Sequence, residues 1–161
     1  MHVPERYATF WAAFARTREI DPTPRFLEAF YFDDNEPSAN ELAALVLKGR
    51  KQATAALLWS HEKEKKPVPR PGDLSIVTDF PGNAVCVIET VRVDIVPFDG
   101  VSAEFAATEG EGDGTLGYWR RVHEAFFARE CQRIGYQPTS NMPVVCERFA
   151  VVFKPSTTSD A

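Results

Sequence analysis

The chain has little of what marks several protein classes. It carries only three cysteines in 161 residues, Cys86, Cys131 and Cys146, widely separated and with no CxxC pair. An odd, scattered set offers neither a zinc spacing nor a disulfide framework, and reads as buried thiols in a reducing compartment. No apolar run approaches the roughly 20 residues needed to span a bilayer. The start, Met1-His2-Val3-Pro4-Glu5-Arg6, lacks the cationic segment and apolar stretch of a signal peptide. A cytoplasmic protein with no membrane partner is expected. A Walker loop, a Rossmann-type strand–glycine–helix unit, a GxSxG elbow and an HExxH helix are all missing, which leaves triphosphate, dinucleotide, esterase and zinc-protease readings without support. Positive charge is also short. With 18 Lys and Arg against 23 Asp and Glu, the net charge is −5, which argues against coating nucleic acid through bulk electrostatics.

What is present is a globular composition, 44% hydrophobic and 25% charged, in a length suited to one domain. Charge is uneven. Between Lys48 and Asp73 there are seven Lys and Arg against three acids, either a phosphate-contacting edge or a solvated loop. Tyr7, Phe10, Trp11 and Phe14 recur at helical spacing, and Pro4 suits the first turn of a helix over residues 5–18. Residues 26–32 read as a strand. A helix capped by Ser38 or Asn40, with Leu42, Leu45, Val46 and Leu47 as its apolar face, ends at Gly49. Residues 54–59 read as a short strand and 61–71, with three prolines, as a loop. Strands follow over 74–80 and 84–96, joined by the turn Pro81-Gly82-Asn83. Broken alternation in the second predicts a bulge. Asp99 is expected to cap a short helix over 101–108, and Asp113 or Thr115 the longest helix, to Ile134. A last strand covers 144–153. The order predicts an α+β fold with a small, strongly curved mixed sheet or barrel flanked by helices. Residues 1–24 form an N-terminal helical extension, 25–154 the main domain and 155–161 a disordered tail.

Two short segments carry candidate chemistry. Gly49-Arg50-Lys51-Gln52-Ala53-Thr54 sets a lysine and a hydroxyl at a helix exit. A threonine becomes a nucleophile only when a base takes its proton, and desolvation can lower a lysine's pKa enough for that task. Glu109-Gly110-Glu111-Gly112-Asp113 crowds three carboxylates, which raise one another's pKa and suit acid–base work. Tyr118, Trp119 and His123 follow on the long helix. An exposed Tyr118 or Trp119 could stack a base, and His123 titrates near neutrality. The plainer readings are a solvated lysine, a flexible acidic turn, and Trp119 in the core stripe. Alternating acids could also hold Mg²⁺ or Ca²⁺, although the twelve-residue calcium loop is not matched. No cofactor is otherwise indicated. His2 and His61 sit in exposed-looking segments and receive no role.

Read in order, these segments resemble the ASCH family of the PUA-like superfamily. The resemblance spans about residues 30–153. It rests on Phe30-Tyr31-Phe32-Asp33, Glu41-Leu42-Ala43, the Gly49 to Ala55 segment and Pro71-Gly72-Asp73. It continues through Ile88-Glu89-Thr90, Val96-Pro97-Phe98, the Glu109 to Asp113 loop, Tyr118-Trp119-Arg120 with His123, and Val145-Cys146-Glu147-Arg148-Phe149. It implies a PUA-like small mixed β-barrel flanked by helices, with RNA or a nucleoside or nucleotide as partner. It further implies an RNA-directed hydrolase, foremost a single-strand ribonuclease, or an amidohydrolase of N4-acylated cytidine, or a non-catalytic RNA- or nucleotide-binding module. By resemblance to the amidohydrolase type, Thr54 is the nucleophile, Lys51 its base and Glu109, or Glu111 in its place, the proton carrier. For RNA cleavage Lys51 would stabilise the phosphorane, and Glu109, Glu111 or His123 would move the proton. Arg50 could hold a phosphate, and Tyr31 or Trp59 could stack a base.

Overall fold

The computed structural model describes residues 2–155. Ten main elements follow in order: α1 (Ala8–Ala15), β1 (Phe26–Phe30), α2 (Glu36–Leu47), β2 (Ala53–Leu57), α3 (Leu58–Glu64), β3 (Leu74–Thr78), β4 (Ala84–Pro97), α4 (Ala103–Glu109), α5 (Leu116–Ile134) and β5 (Pro143–Phe153). The strands form one mixed sheet in the order β1-β3-β4-β5-β2, with β1 parallel to β3 and the other pairs antiparallel. The expected α+β class and curved, barrel-like sheet are found. The curl brings β1 and β2 to opposite walls of one cleft, yet among the described residues no ladder joins them. The barrel is therefore open along that seam.

β4 is long enough to pair with both β3 and β5. Its register shifts between Val87 and Ile88 and between Thr90 and Arg92, so the expected bulge is present and adds to the curvature. Apolar residues are buried on three sides. The N-terminal segment packs Tyr7, Trp11 and Phe14 on Phe26, Leu74, Ile76 and Val87, so it covers part of the sheet. α2 adds Ala43 and Val46 against Phe32, Ile88 and Phe149. α4 and α5 cover β2 and β5 through Phe105, Trp119, Phe127 and Cys131. All three cysteines are free and buried, and burial pushes the Cys86 and Cys146 thiols up to about 12.

Several local expectations are corrected. Asn35, not Ser38 or Asn40, caps α2: its side chain accepts the Ser38 N–H at 3.0 Å, while Asn40 Oδ1 accepts the Phe80 N–H. Ser102 caps α4 in place of Asp99, which sits in a 3₁₀ turn. Leu47 is 37% exposed and outside the apolar face of α2. α3 replaces the expected end of a strand and start of a loop. It is held on α5 by tertiary contacts, Ser60 to Glu130 at 3.0 Å and Glu64 to Arg133, which a local pattern does not encode. Thr115 caps α5 as read from the sequence, its hydroxyl accepting the Tyr118 N–H. Most of the expected tail, residues 156–161, lies outside the described residues.

Candidate functional site

Lys51 follows the turn that ends α2, where Gly49 takes a left-handed φ of +79°. The chain then enters β2, and the Lys51 side chain points inward and is 1% exposed. Its three ammonium protons meet three acceptors: Glu109 Oε2 at 2.8 Å, Glu111 Oε2 at 2.7 Å and the Ala53 carbonyl at 2.7 Å. The Phe32 ring lies 5.0 Å from Nζ, a cation–π contact. Burial alone would lower the lysine's proton affinity, but Glu109 and Glu111 outweigh it and the net shift is upward. Lys51 is therefore a fixed cation.

Glu109, 1% exposed, is held from its other side as well. Trp119 donates its indole N–H to Oε1 at 2.6 Å, and His123 Nε2 lies 3.4 Å from the same oxygen. His123 donates through Nδ1 to the Trp119 carbonyl at 2.9 Å and stacks on the indole at a centroid distance of 4.1 Å. Burial lowers the imidazole's proton affinity, with Glu111 pulling the other way. Glu111 is also buried, which raises its pKa against the pull of Lys51.

The glycine-rich loop presenting these acids is clamped by Arg50. Its Nε donates to the Gly110 carbonyl at 2.9 Å and its Nη2 to the Gly112 carbonyl at 2.7 Å. Gly110 sits at a φ of +67°, and a Cβ there would fall 2.2 Å from the Arg50 carbonyl oxygen, so only glycine fits. Gly112, Gly114 and Gly117 have the spacing of a dinucleotide fingerprint, but they join two helices. Asp113 already accepts the Thr115 N–H there at 2.9 Å, so no phosphate cradle forms.

Beside this cluster Thr54 lines a pocket of about 40 Å³ with Lys51, Glu109, Glu111 and His123. The pocket adjoins a larger cleft of about 260 Å³ between β1, β2, α3 and α5, and Thr54 lines that too. The cleft is acidic: Glu28, Asp33, Glu64, Glu130 and Glu147 face Lys66 and His61. Glu147 of β5 stands directly opposite Thr54 in the β2–β5 register. Burial pushes its carboxyl up to about 7, although the Thr90 hydroxyl donates to Oε2 at 2.7 Å. Glu28 is likewise raised by burial.

The family model for the ASCH domain matches residues 28–153. The chain belongs to the ASCH domain family. Among solved structures, an ASCH domain from Lactobacillus crispatus is 34% identical with a TM-score of 0.86, covering 93% of this chain and 96% of that one. A protein from Enterococcus faecalis is 30% identical with a TM-score of 0.80, over 91% of this chain and 88% of that one. Among curated proteins none matches. ASCH domains have a PUA-like fold and are RNA-associated. Among the described residues no helix is long and apolar enough to cross a membrane.

Within this ASCH domain the sequence-derived candidates separate into two groups. Lys51, Thr54, Glu109, Glu111 and His123 meet around one pocket. The aromatic candidates mostly do not. Trp119 is 2% exposed, its faces taken by His123 and Phe98, so it cannot stack a ligand. Trp59 stacks on Tyr136 at 5.0 Å, outside the cleft lining. Tyr118 lies over Gly112. Tyr31 does line the cleft, 42% exposed and packed on Phe80. Arg50 is committed to the loop carbonyls rather than to a phosphate edge. Asp113 faces solvent as a turn-former, so Glu111 is the loop acid at the pocket. Residues that the sequence left without a role, Glu147, Glu28 and His61, line the cleft. Alternation along β5 could have placed Glu147 on the Thr54 face, since residues 145 and 147 share that side of the strand.

Glu109, Glu111 and His123 also offer three donor atoms within 4.8 Å of one another, a set that could hold a metal ion. The Lys51 ammonium bridges the two carboxylates at that place. A divalent cation would have to displace it and part Glu109 from the indole, so the donor set fits a metal poorly.

Proposed function

We propose that this ASCH domain binds a nucleoside in its acidic cleft and hydrolyses an acyl group from the exocyclic nitrogen of the base. The observation that carries this reading is the charge of the cleft. Five carboxyl groups line it against one lysine and one histidine, and the nearby arginines, Arg129 and Arg133, are paired with Asp34, Glu64 and Glu130. A phosphodiester would find one lysine there among carboxyl groups, with the flanking arginines already paired, whereas an uncharged nucleoside needs no phosphate neutralisation. Lys51, the residue a ribonuclease would aim at a phosphorane, has its three protons committed.

The chemistry follows from the residues around Thr54. Its Oγ attacks the acyl carbonyl carbon while its proton passes to the Glu111 carboxylate. Collapse breaks the carbon–nitrogen bond, and the proton goes to the departing amine. Water then hydrolyses the threonyl ester and releases the carboxylic acid. Lys51 is not the base in this scheme. It fixes Glu109 and Glu111 and keeps Glu111 able to ionise despite burial.

Incubation of the protein with N4-acetylcytidine and, separately, with labelled single-stranded RNA tests the reading. Release of cytidine and acetate that falls by about 10²-fold or more in Thr54→Ala and Glu111→Gln is expected. RNA fragments with no cytidine release would replace this reading with the ribonuclease. Saturable binding without either product would leave a binding module.

A further inference from the structure

Glu147 is a buried carboxyl in the cleft that the chemistry above leaves unused. It is 7% exposed and stands beside Thr54 on the neighbouring strand, a position that holds two side chains about 5 Å apart at Cβ. Thr90 engages one of its oxygens, Oε2. Among the described residues Oε1 has no hydrogen-bond partner and no cation pairs with it, and it is open to the cleft. A carboxyl in this state has unused hydrogen-bonding capacity directed at whatever the cleft holds.

We propose that Glu147 holds the base of the bound nucleoside, its Oε1 hydroxyl donating to a ring nitrogen and Oε2, which keeps a second lone pair beside Thr90, accepting from the adjacent exocyclic N–H. Cytosine and adenine share this edge. An acylated cytosine keeps it, because one N–H remains on the exocyclic nitrogen. Uracil reverses it, with an N–H in the ring and a carbonyl outside, an edge that a neutral carboxyl also meets by carrying its proton on the other oxygen. The placement suits the chemistry: a base anchored on Glu147 carries its exocyclic nitrogen toward Thr54. The inference rests on the nucleoside reading above.

Donation to the ring nitrogen requires the neutral carboxyl, and burial among the neighbouring acids keeps Glu147 protonated up to about neutrality. Glu28 of β1 and Asp73 before β3 favour the neutral form, and Lys51 before β2 opposes it. His61 of α3 and Glu130 of α5 line the same cleft. Binding should therefore weaken as pH rises through 7. A glutamine at this position keeps a donor and an acceptor at every pH, as the carboxyl does only while it is protonated.

Calorimetric titration of the whole chain and of Glu147→Gln with cytidine, adenosine and uridine, from about pH 6 to pH 9, decides the matter. Wild type should bind cytidine and adenosine more tightly below neutrality than above it. Its affinity should fall toward about tenfold per pH unit above neutrality. Glu147→Gln should hold its affinity across the range. A wild-type affinity that is flat with pH, or a slope unchanged in Glu147→Gln, overturns the role of Glu147 while leaving the nucleoside site intact. Wild type that binds no nucleoside overturns the nucleoside reading itself.

Discussion

Two buried titratable groups lie beside Thr54 and are handled in opposite ways. Lys51 is saturated, each proton on an acceptor and its carboxylate partners held in turn by Trp119 and Lys51 itself. Glu147 is under-engaged, with a single hydroxyl on one oxygen and acids rather than cations for neighbours. Both are nearly inaccessible, so burial does not distinguish them. Partnership does. A saturated charge is locked in one protonation state and fixes geometry. A carboxyl that burial raises to about 7, with one oxygen open to the cleft, can exchange a proton with a ligand near neutrality.

The largest effect should come from breaking the saturated side. Lys51→Met leaves Glu109 buried without its counter-charge and should cost about 3–5 kcal/mol in denaturant unfolding. A loss below about 1 kcal/mol would mean that the carboxylates simply take up protons, and the contrast with Glu147 would dissolve.

Glu147 should respond with the other sign. Its folded pKa is about 7 against an ordinary 4.5, so the folded chain binds the proton more tightly than the unfolded one. Stability from this group is full below about pH 4.5 and declines as pH rises to about 7, by about 3 kcal/mol at most. Glu147→Gln should remove that decline and make the protein more stable than wild type near pH 8. Unfolding curves across pH would show it, and an equal pH dependence in both proteins would refute the assignment.

The smallest effect tests how the saturated cluster is presented. Arg50→Ala removes two hydrogen bonds to the glycine loop and should cost about 1–2 kcal/mol, with amide exchange accelerating over residues 110–114. No change there would assign the loop's shape to Gly110 and Gly112 alone.

How far these features could be read from the sequence depends on their range. The long helix, its Thr115 cap, the β3–β4 hairpin and the β4 bulge follow from periodicity and turn residues within a few positions. Lys51, Glu109, Glu111 and His123 were legible as a set because two charged motifs and a family pattern pointed to them. Their roles were not. Trp119 and His123 share a helix face at a spacing of four, but whether that face meets solvent or Glu109 depends on how α5 packs. The seven basic residues between Lys48 and Asp73 read as a phosphate-contacting edge or a solvated loop, yet the fold buries Lys51, turns Arg50 to the glycine loop and leaves Lys66 in an acidic cleft. α3 escaped notice because its stability comes from Glu130 and Arg133, about 70 residues away.

Local patterns by themselves determined the element order, the α+β class and the two segments that hold the candidate chemistry, since propensity, capping and hydrophobic period act over a few residues. Only the tertiary structure decided that Lys51 is a fixed cation and Glu147 a poised acid. Those states depend on groups 57 or more residues apart in the chain and on the loss of water around them. Desolvation and pairing act through space, and the curl of one sheet brings both to Thr54.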